Sequence, residues 1–129
     1  VSLAAYEGMQ IPRFISLGAP VVGADILDVF IQRINGTARH TQILREECRR
    51  RFNREFDELT MQNTFSALKN VPVLGVHGTE DIDAYVGHLD ILKKIHPKMF
   101  TYKAQGLGHR RILKDKKVIS LILEFINSD

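Results

Sequence analysis

The chain has 129 residues, enough for one domain around one hydrophobic core, and at 44% hydrophobic and 26% charged it is globular rather than disordered. Its apolar runs, such as Val118–Leu123, break within a few residues, which excludes a membrane-spanning helix. A net charge of +3 does not by itself imply nucleic acid, and the single cysteine, Cys48, excludes an internal disulfide and fits a reducing, cytoplasmic location.

Near Val1 no basic start, apolar run and small-residue cleavage site occur together, so no secretory signal is expected. Val1–Tyr6 reads as the tail of a helix, with Gly8 as its stop. Phe14–Leu17 is a short apolar run closing on Gly18-Ala19-Pro20, the pattern of a buried strand followed by a loop. From Asp25 to Ile34, Ile26, Leu27, Phe30, Ile31 and Ile34 recur at helical spacing, and Gly36 punctuates them.

A second helix is expected over Thr41–Leu59, with Leu44, Cys48, Phe52 and Phe56 four apart on one stripe. Thr64–Leu68 adds a helical turn, and Val71–Val76 reads as a strand with proline tolerated near its start. Ala84–Ile95 is helical in pattern, Met99–Lys103 forms a third strand, and Asp115 caps a last helix. Val118, Ile119, Ile122, Phe125 and Ile126 form the buried stripe of that helix. Strands separated by helical crossovers imply a parallel α/β sheet covered by helices.

The chemistry concentrates between Val71 and Arg111. His77-Gly78-Thr79-Glu80-Asp81 follows the second strand, and Gly106-Leu107-Gly108-His109 follows the third. In a parallel sheet both segments fall at the carboxyl ends of neighbouring strands, where functional residues collect. One crossover helix and one strand separate Asp81 from His109, so adjacent strands can bring the two together. An acid beside a histidine fixes the imidazole tautomer and stabilises the imidazolium formed during proton transfer.

The order strand, HGxxD, helix, strand, GxGH, helix resembles the end of an α/β-hydrolase, where acid and histidine follow the nucleophile in the order Ser, Asp, His. The segment Phe14–Pro20 is similar to that family's strand after the nucleophile-bearing helix. The resemblance implies a partial α/β-hydrolase fold over residues 1–129, with three parallel strands and flanking helices. Residues 25–69 then stand as a helical, lid-like insertion, and residues 71–129 carry the acid and the histidine. It further implies acyl-bond hydrolysis with Asp81 and His109 as catalytic residues and no metal or organic cofactor. A small acyl substrate would lie against Ile26, Leu27, Phe30 and Phe52.

The chain departs from the family in lacking GxSxG. Ser2 comes nearest, but Ala4 stands where the motif needs glycine. On the family's pattern the nucleophile is expected a few residues upstream of Val1, together with the oxyanion donors, and residues 1–129 alone are expected to be inactive. A bare Phe14–Leu17 edge invites pairing with a second copy, a homodimer through that strand. A non-catalytic interaction or assembly module is therefore the alternative reading.

Other residues carry blander expectations. Glu80 is an alternative acid, and Asp83 reads better as the cap of the following helix. His77 reads as structural, and His40, His88 and His96 have no partners legible from spacing. Gly78, Gly106 and Gly108 are expected to permit tight turns that aim the acid and the base. Arg110 and Arg111 read first as a solvated basic turn and second as a site for a carboxylate or phosphate. The arginines between Arg45 and Arg54 are interleaved with Glu46, Glu47 and Glu55, a solvated helix face rather than a nucleic-acid surface. Cys48 falls on the apolar stripe and reads as a buried small hydrophobe.

Overall fold

Three short apolar runs form one sheet in the order β1-β2-β3, with β1 at Phe14–Leu17, β2 at Val73–Gly78 and β3 at Phe100–Ala104. Both pairings are parallel, Phe14 opposite Val73 and Leu74 opposite Phe100. The computed structural model describes residues 9–56, 61, 65 and 68–128. The helix tail at Val1–Tyr6, the stop at Gly8, Ser2, Thr64, Ser66 and the extension of the second helix to Leu59 fall outside them.

Helices α1 (Gly23–Arg33) and α2 (Ala38–Phe52) lie between β1 and β2, and α3 (Gly87–Ile95) joins β2 to β3. A 3-10 turn at Ile112–Lys114 leads into α4 (Lys116–Asn127). None of the described helices is long and apolar enough to cross a membrane.

Strand β2 is buried along its whole length, as a central parallel strand with both faces covered must be. Val73 packs with Leu89, Leu92 and Met99 on the α3 face, while Leu74 and Val76 pack with Ala104, Ile112, Val118 and Phe125 on the α4 face. Gly75 lies on the α3 face, where a Cβ would come within 2.6 Å of both Leu89 and Met99. Its missing side chain lets the crossover helix sit close to β2.

The helix ends differ from those their patterns imply, α1 starting two residues before Asp25 and α3 three residues after Ala84. α1 ends at Arg33 with Ile34 as its C-cap, and Asn35 then takes φ +50°, a left-handed conformation that asparagine tolerates, so the chain turns before Gly36. α2 starts three residues earlier than expected and ends where Asn53 also takes φ +50°. Of its stripe only Cys48 is buried, and Phe52 is 62% exposed. The described part of α2 packs mainly on α1, so a full apolar stripe has nothing further to cover.

In α4, Asp115 caps as expected, accepting from the Val118 N–H at 3.0 Å. Val118 and Phe125 are buried, but Ile119 and Ile126 are exposed. Each lies one residue, about 100° of helix rotation, beyond a buried neighbour and so turns to the flank. β2 runs two residues later than its expected span, since His77 and Gly78 still pair with Lys103 and Ala104.

Candidate active site

Asp81 follows β2 by three residues and His109 follows β3 by five, so both stand at the carboxyl end of the sheet. Two chain segments are stitched together there before any side chain meets. The Thr79 N–H donates to the Ala104 carbonyl at 3.0 Å, and the Glu80 N–H donates to the Leu107 carbonyl at 3.0 Å. The Thr79 hydroxyl accepts from the Gly106 N–H at 2.9 Å. Gly78 makes the close approach possible, because a Cβ there would collide with the Leu107 carbonyl. Gly106 takes φ +68°, whereas Gly108 has neither a positive φ nor a crowded Cβ position, so the turn does not require glycine at 108.

The acid is fixed by its own loop. One Asp81 oxygen, Oδ1, accepts from the backbone N–H groups of Asp83 and Ala84, both at 2.9 Å. The other, Oδ2, meets His109 Nδ1 at 2.8 Å. The Asp81 side chain is 0% exposed, while His109 retains 37%. A carboxylate with two backbone donors on one oxygen and an imidazole on the other cannot rotate freely. With Nδ1 as the donor to Asp81, Nε2 across the ring is left to exchange a proton, the arrangement of a general base held by an acid.

Gly18, at the end of β1, completes this corner and was not singled out from sequence as a site residue. Its N–H donates to Val76 at 2.8 Å and its φ is +58°. A Cβ there would lie 3.1 Å from His109 Nδ1, 3.2 Å from Ile112 and 3.3 Å from Asp81 Oδ2. Bare backbone thus forms one wall of the acid–histidine pair. The signal was present in Gly18-Ala19-Pro20 after an apolar strand, but only the fold shows what that glycine faces.

The alternative acids go elsewhere. Glu80 is exposed, and Asp83 ion-pairs with Arg33 at the end of α1. Asp83 does not cap α3, whose N-cap position is Val86, because the chain turns for three more residues before the helix begins. Ligand atoms of Asp81, Asp83 and His109 lie within 4.8 Å of one another, close enough for a cation. Such a cation would have to compete with the Asp81–His109 hydrogen bond and with the Arg33 guanidinium, so the donor set fits an acid–base pair better.

Beneath the pair lies a buried row of histidines. His77 is fully buried on the α3 side of β2, and neither ring nitrogen has a hydrogen-bond partner. Burial pushes its imidazole below the ordinary histidine range, opposed by the Asp81 charge and helped by His88 and His109. His88 accepts from the Val21 N–H at 3.3 Å, lies 3.7 Å from Asp25 and meets the Tyr85 ring at a 50° tilt, and burial lowers it too. His96 meets the Leu68 carbonyl at 2.9 Å, and His40 accepts from the Thr37 N–H at 3.0 Å at the start of α2. These partners are far apart in sequence for His88 and His96, which is why spacing did not reveal them.

Between α1 and α2 a cavity of about 520 Å3 is lined by Ile26, Leu27, Phe30, Leu44, Cys48, Phe52 and Phe56, with Glu47 and Arg51 beside them. All four residues expected to face an acyl chain are among its walls. Leu27 is buried, while Ile26, Phe30 and Phe52 stay exposed. The adjoining arginines are ion-paired: Arg50 and Arg51 share Glu47, and Arg49 pairs with Glu55. Two guanidinium partners hold Glu47 down to about 2. Cys48 is buried as expected, its sulfur near the Arg54 carbonyl.

Among the serines, Ser16 is buried within β1, Ser120 hydrogen-bonds Glu124, and Ser128 meets Arg13 and the Phe125 carbonyl. No described serine hydroxyl hydrogen-bonds His109. No protein-family model matches the chain, and no curated protein matches it at a significant level.

Proposed function

We propose that this chain is the acid- and histidine-bearing part of an α/β-hydrolase-type serine hydrolase that cleaves an ester, thioester or related acyl bond. The observation that carries the reading is the 2.8 Å contact between Asp81 Oδ2 and His109 Nδ1 at the carboxyl ends of adjacent parallel strands. The nucleophile in this proposal is a serine outside these residues. His109 Nε2 takes the serine proton as the serine oxygen bonds the acyl carbon. The bond to the leaving alcohol or thiol then breaks, and the proton on Nε2 passes to that leaving atom. Water repeats the sequence and frees the acid. Asp81 stays ionised throughout, holding the tautomer and stabilising the imidazolium.

In the same reading α1 and α2 form the lid-like insertion, and the cavity walled by Ile26, Leu27, Phe30 and Phe52 receives the acyl chain. The test is ester turnover and labelling by a serine-directed fluorophosphonate in the full-length protein. His109→Ala should abolish turnover, and Asp81→Asn should lower it by about 10^3- to 10^4-fold by presenting the wrong tautomer. Unchanged turnover in either variant overturns the assignment.

A second reading, self-association without catalysis, is favoured by the position of β1, which pairs only with β2 among the described residues. Its free side adjoins a groove lined by Met9–Ile15 and Ile126. A second copy would add a strand there. Sedimentation that shows a monomer at the highest attainable concentration rules it out.

A further inference from the structure

We propose that the hollow after the histidine loop, walled by Leu107, Arg110, Arg111, Lys114 and Asp115, binds a phosphate monoester carried by the leaving half of the substrate. This role rests on the hydrolase reading above, while the anion site stands on its own observations. The hollow has a volume of about 340 Å3, ample for a phosphate group. Three of its five walls are cationic, and its one carboxylate, Asp115, already accepts the Val118 N–H.

Charge is dense here, as it is between residues 91 and 103, where Lys93, Lys94, Lys98 and Lys103 stand without an intervening acid, but there Lys103 pairs with Asp90 and Lys93 donates to the Met99 carbonyl. Residues 106–117 hold five cations, Arg110, Arg111, Lys114, Lys116 and Lys117, against one acid, for a net +4. The whole chain is +3, so all the other residues together are −1. In α2 Arg49, Arg50 and Arg51 share two carboxylates, Glu47 and Glu55, whereas none of Arg110, Arg111 and Lys114 has an ion-pair partner among the described residues. Lys116 and Lys117 also open α4, where the positive end of the helix macrodipole disfavours cations. Only the N-cap, Asp115, offsets them, and a cluster of like charges with a single acid among them attracts an anionic ligand.

The backbone beneath is anchored to the core. Ile112 is 1% exposed and anchors the 3-10 turn into the α4-side core. Arg111 N donates to Gly108 O at 3.0 Å and Lys114 N to Arg111 O at 3.1 Å, so the main chain that carries the cations is held in place. The loop is shared with the active site: Leu107 walls the hollow while its carbonyl supports the Asp81 turn, and Arg110 follows His109 directly. The leaving atom must pass His109 to receive its proton, which puts the leaving half of the substrate on this side. A phosphate near pH 7 carries close to two negative charges and three acceptor oxygens, matching forked guanidinium donors.

The experiment is an amide and imidazole NMR titration of the chain with inorganic phosphate and with glycerol phosphate, ionic strength being held constant with chloride. Saturable shifts confined to residues 107–117 are expected for both anions. Arg110→Gln/Arg111→Gln should weaken binding about tenfold, and Lys114→Gln should weaken it by about threefold. His109→Gln should leave phosphate binding intact. Non-saturating shifts, shifts reproduced by chloride, or unaltered affinity in both cation variants overturn the site. Phosphate binding without ester turnover in the full-length protein defeats only the hydrolase reading, and turnover without phosphate binding defeats only the anion site.

Discussion

Replacing Gly18 by alanine adds one methyl group at the point where β1 meets the acid and the histidine. Two separable costs follow. The first is conformational: a side chain at φ +58° costs about 1 kcal/mol relative to glycine. The second is crowding, since the new carbon lies 3.1 Å from His109 Nδ1, 3.2 Å from Ile112 and 3.3 Å from Asp81 Oδ2. All three distances are below ordinary contact, and overpacking of this kind costs about 1–3 kcal/mol. Gly18→Ala should therefore lose about 2–4 kcal/mol in urea unfolding, within what a domain holding about 5–15 kcal/mol can survive.

Gly106→Ala separates the two costs. Gly106 also has a positive φ, +68°, but nothing lies nearer to its Cβ position than Glu80 Oε1 at 3.9 Å. That variant should lose only about 1 kcal/mol and keep the native imidazole resonance of His109. In Gly18→Ala the same resonance should shift, because pushing Nδ1 away from Oδ2 lengthens a 2.8 Å hydrogen bond. Equal destabilisation of the two variants with an unshifted His109 signal in both would refute the claim that Gly18 positions the pair.

The buried histidines give the remaining predictions. His77→Leu removes two buried ring nitrogens that lack partners and should stabilise the fold by about 1–3 kcal/mol in chemical denaturation; a loss instead would mean that the imidazole is satisfied in solution. His77, facing Asp81, His88 and His109, and His88, facing Asp25, Asp81 and Tyr85, both have folded-state values pushed below the ordinary 6.5 by burial. Below that pH the unfolded chain takes up protons that the folded chain refuses, so their contribution is complete above about pH 7.5 and declines as pH falls through 6.5. Urea midpoints between pH 8 and 5.5 should fall, with a limiting slope of about 1.4 kcal/mol per pH unit for each histidine, and a flat or rising profile contradicts the burial argument.

What was legible in the sequence is what depends on neighbours along the chain. Phe14–Leu17 has the bounds expected for it, and the parallel order of three strands follows from the apolar runs and their helical crossovers. Asp81 and His109 were legible because each follows a strand at a fixed short distance, and parallel pairing turns two such positions into neighbours. Helix ends were less so: in α2 the alternation of arginine and glutamate continues past Asn53, and only the left-handed backbone there ends the helix. Ile119 and Ile126, expected in a buried stripe, are exposed because a periodic stripe says which residues share a face, not how much surface the neighbouring element offers.

The residues the sequence concealed share one physical property: their role is set by an atom far along the chain. Gly18 meets His109, Thr79 meets Gly106, and His88 meets Val21, each across a strand or a helix. Aligning the acid and the histidine therefore depends on three chain segments, two of which carry the pair and one of which, β1, contributes only backbone. That third segment explains why a glycine belongs at the end of an otherwise ordinary strand. A side chain there would strain the backbone and separate the two groups that the sheet brings together.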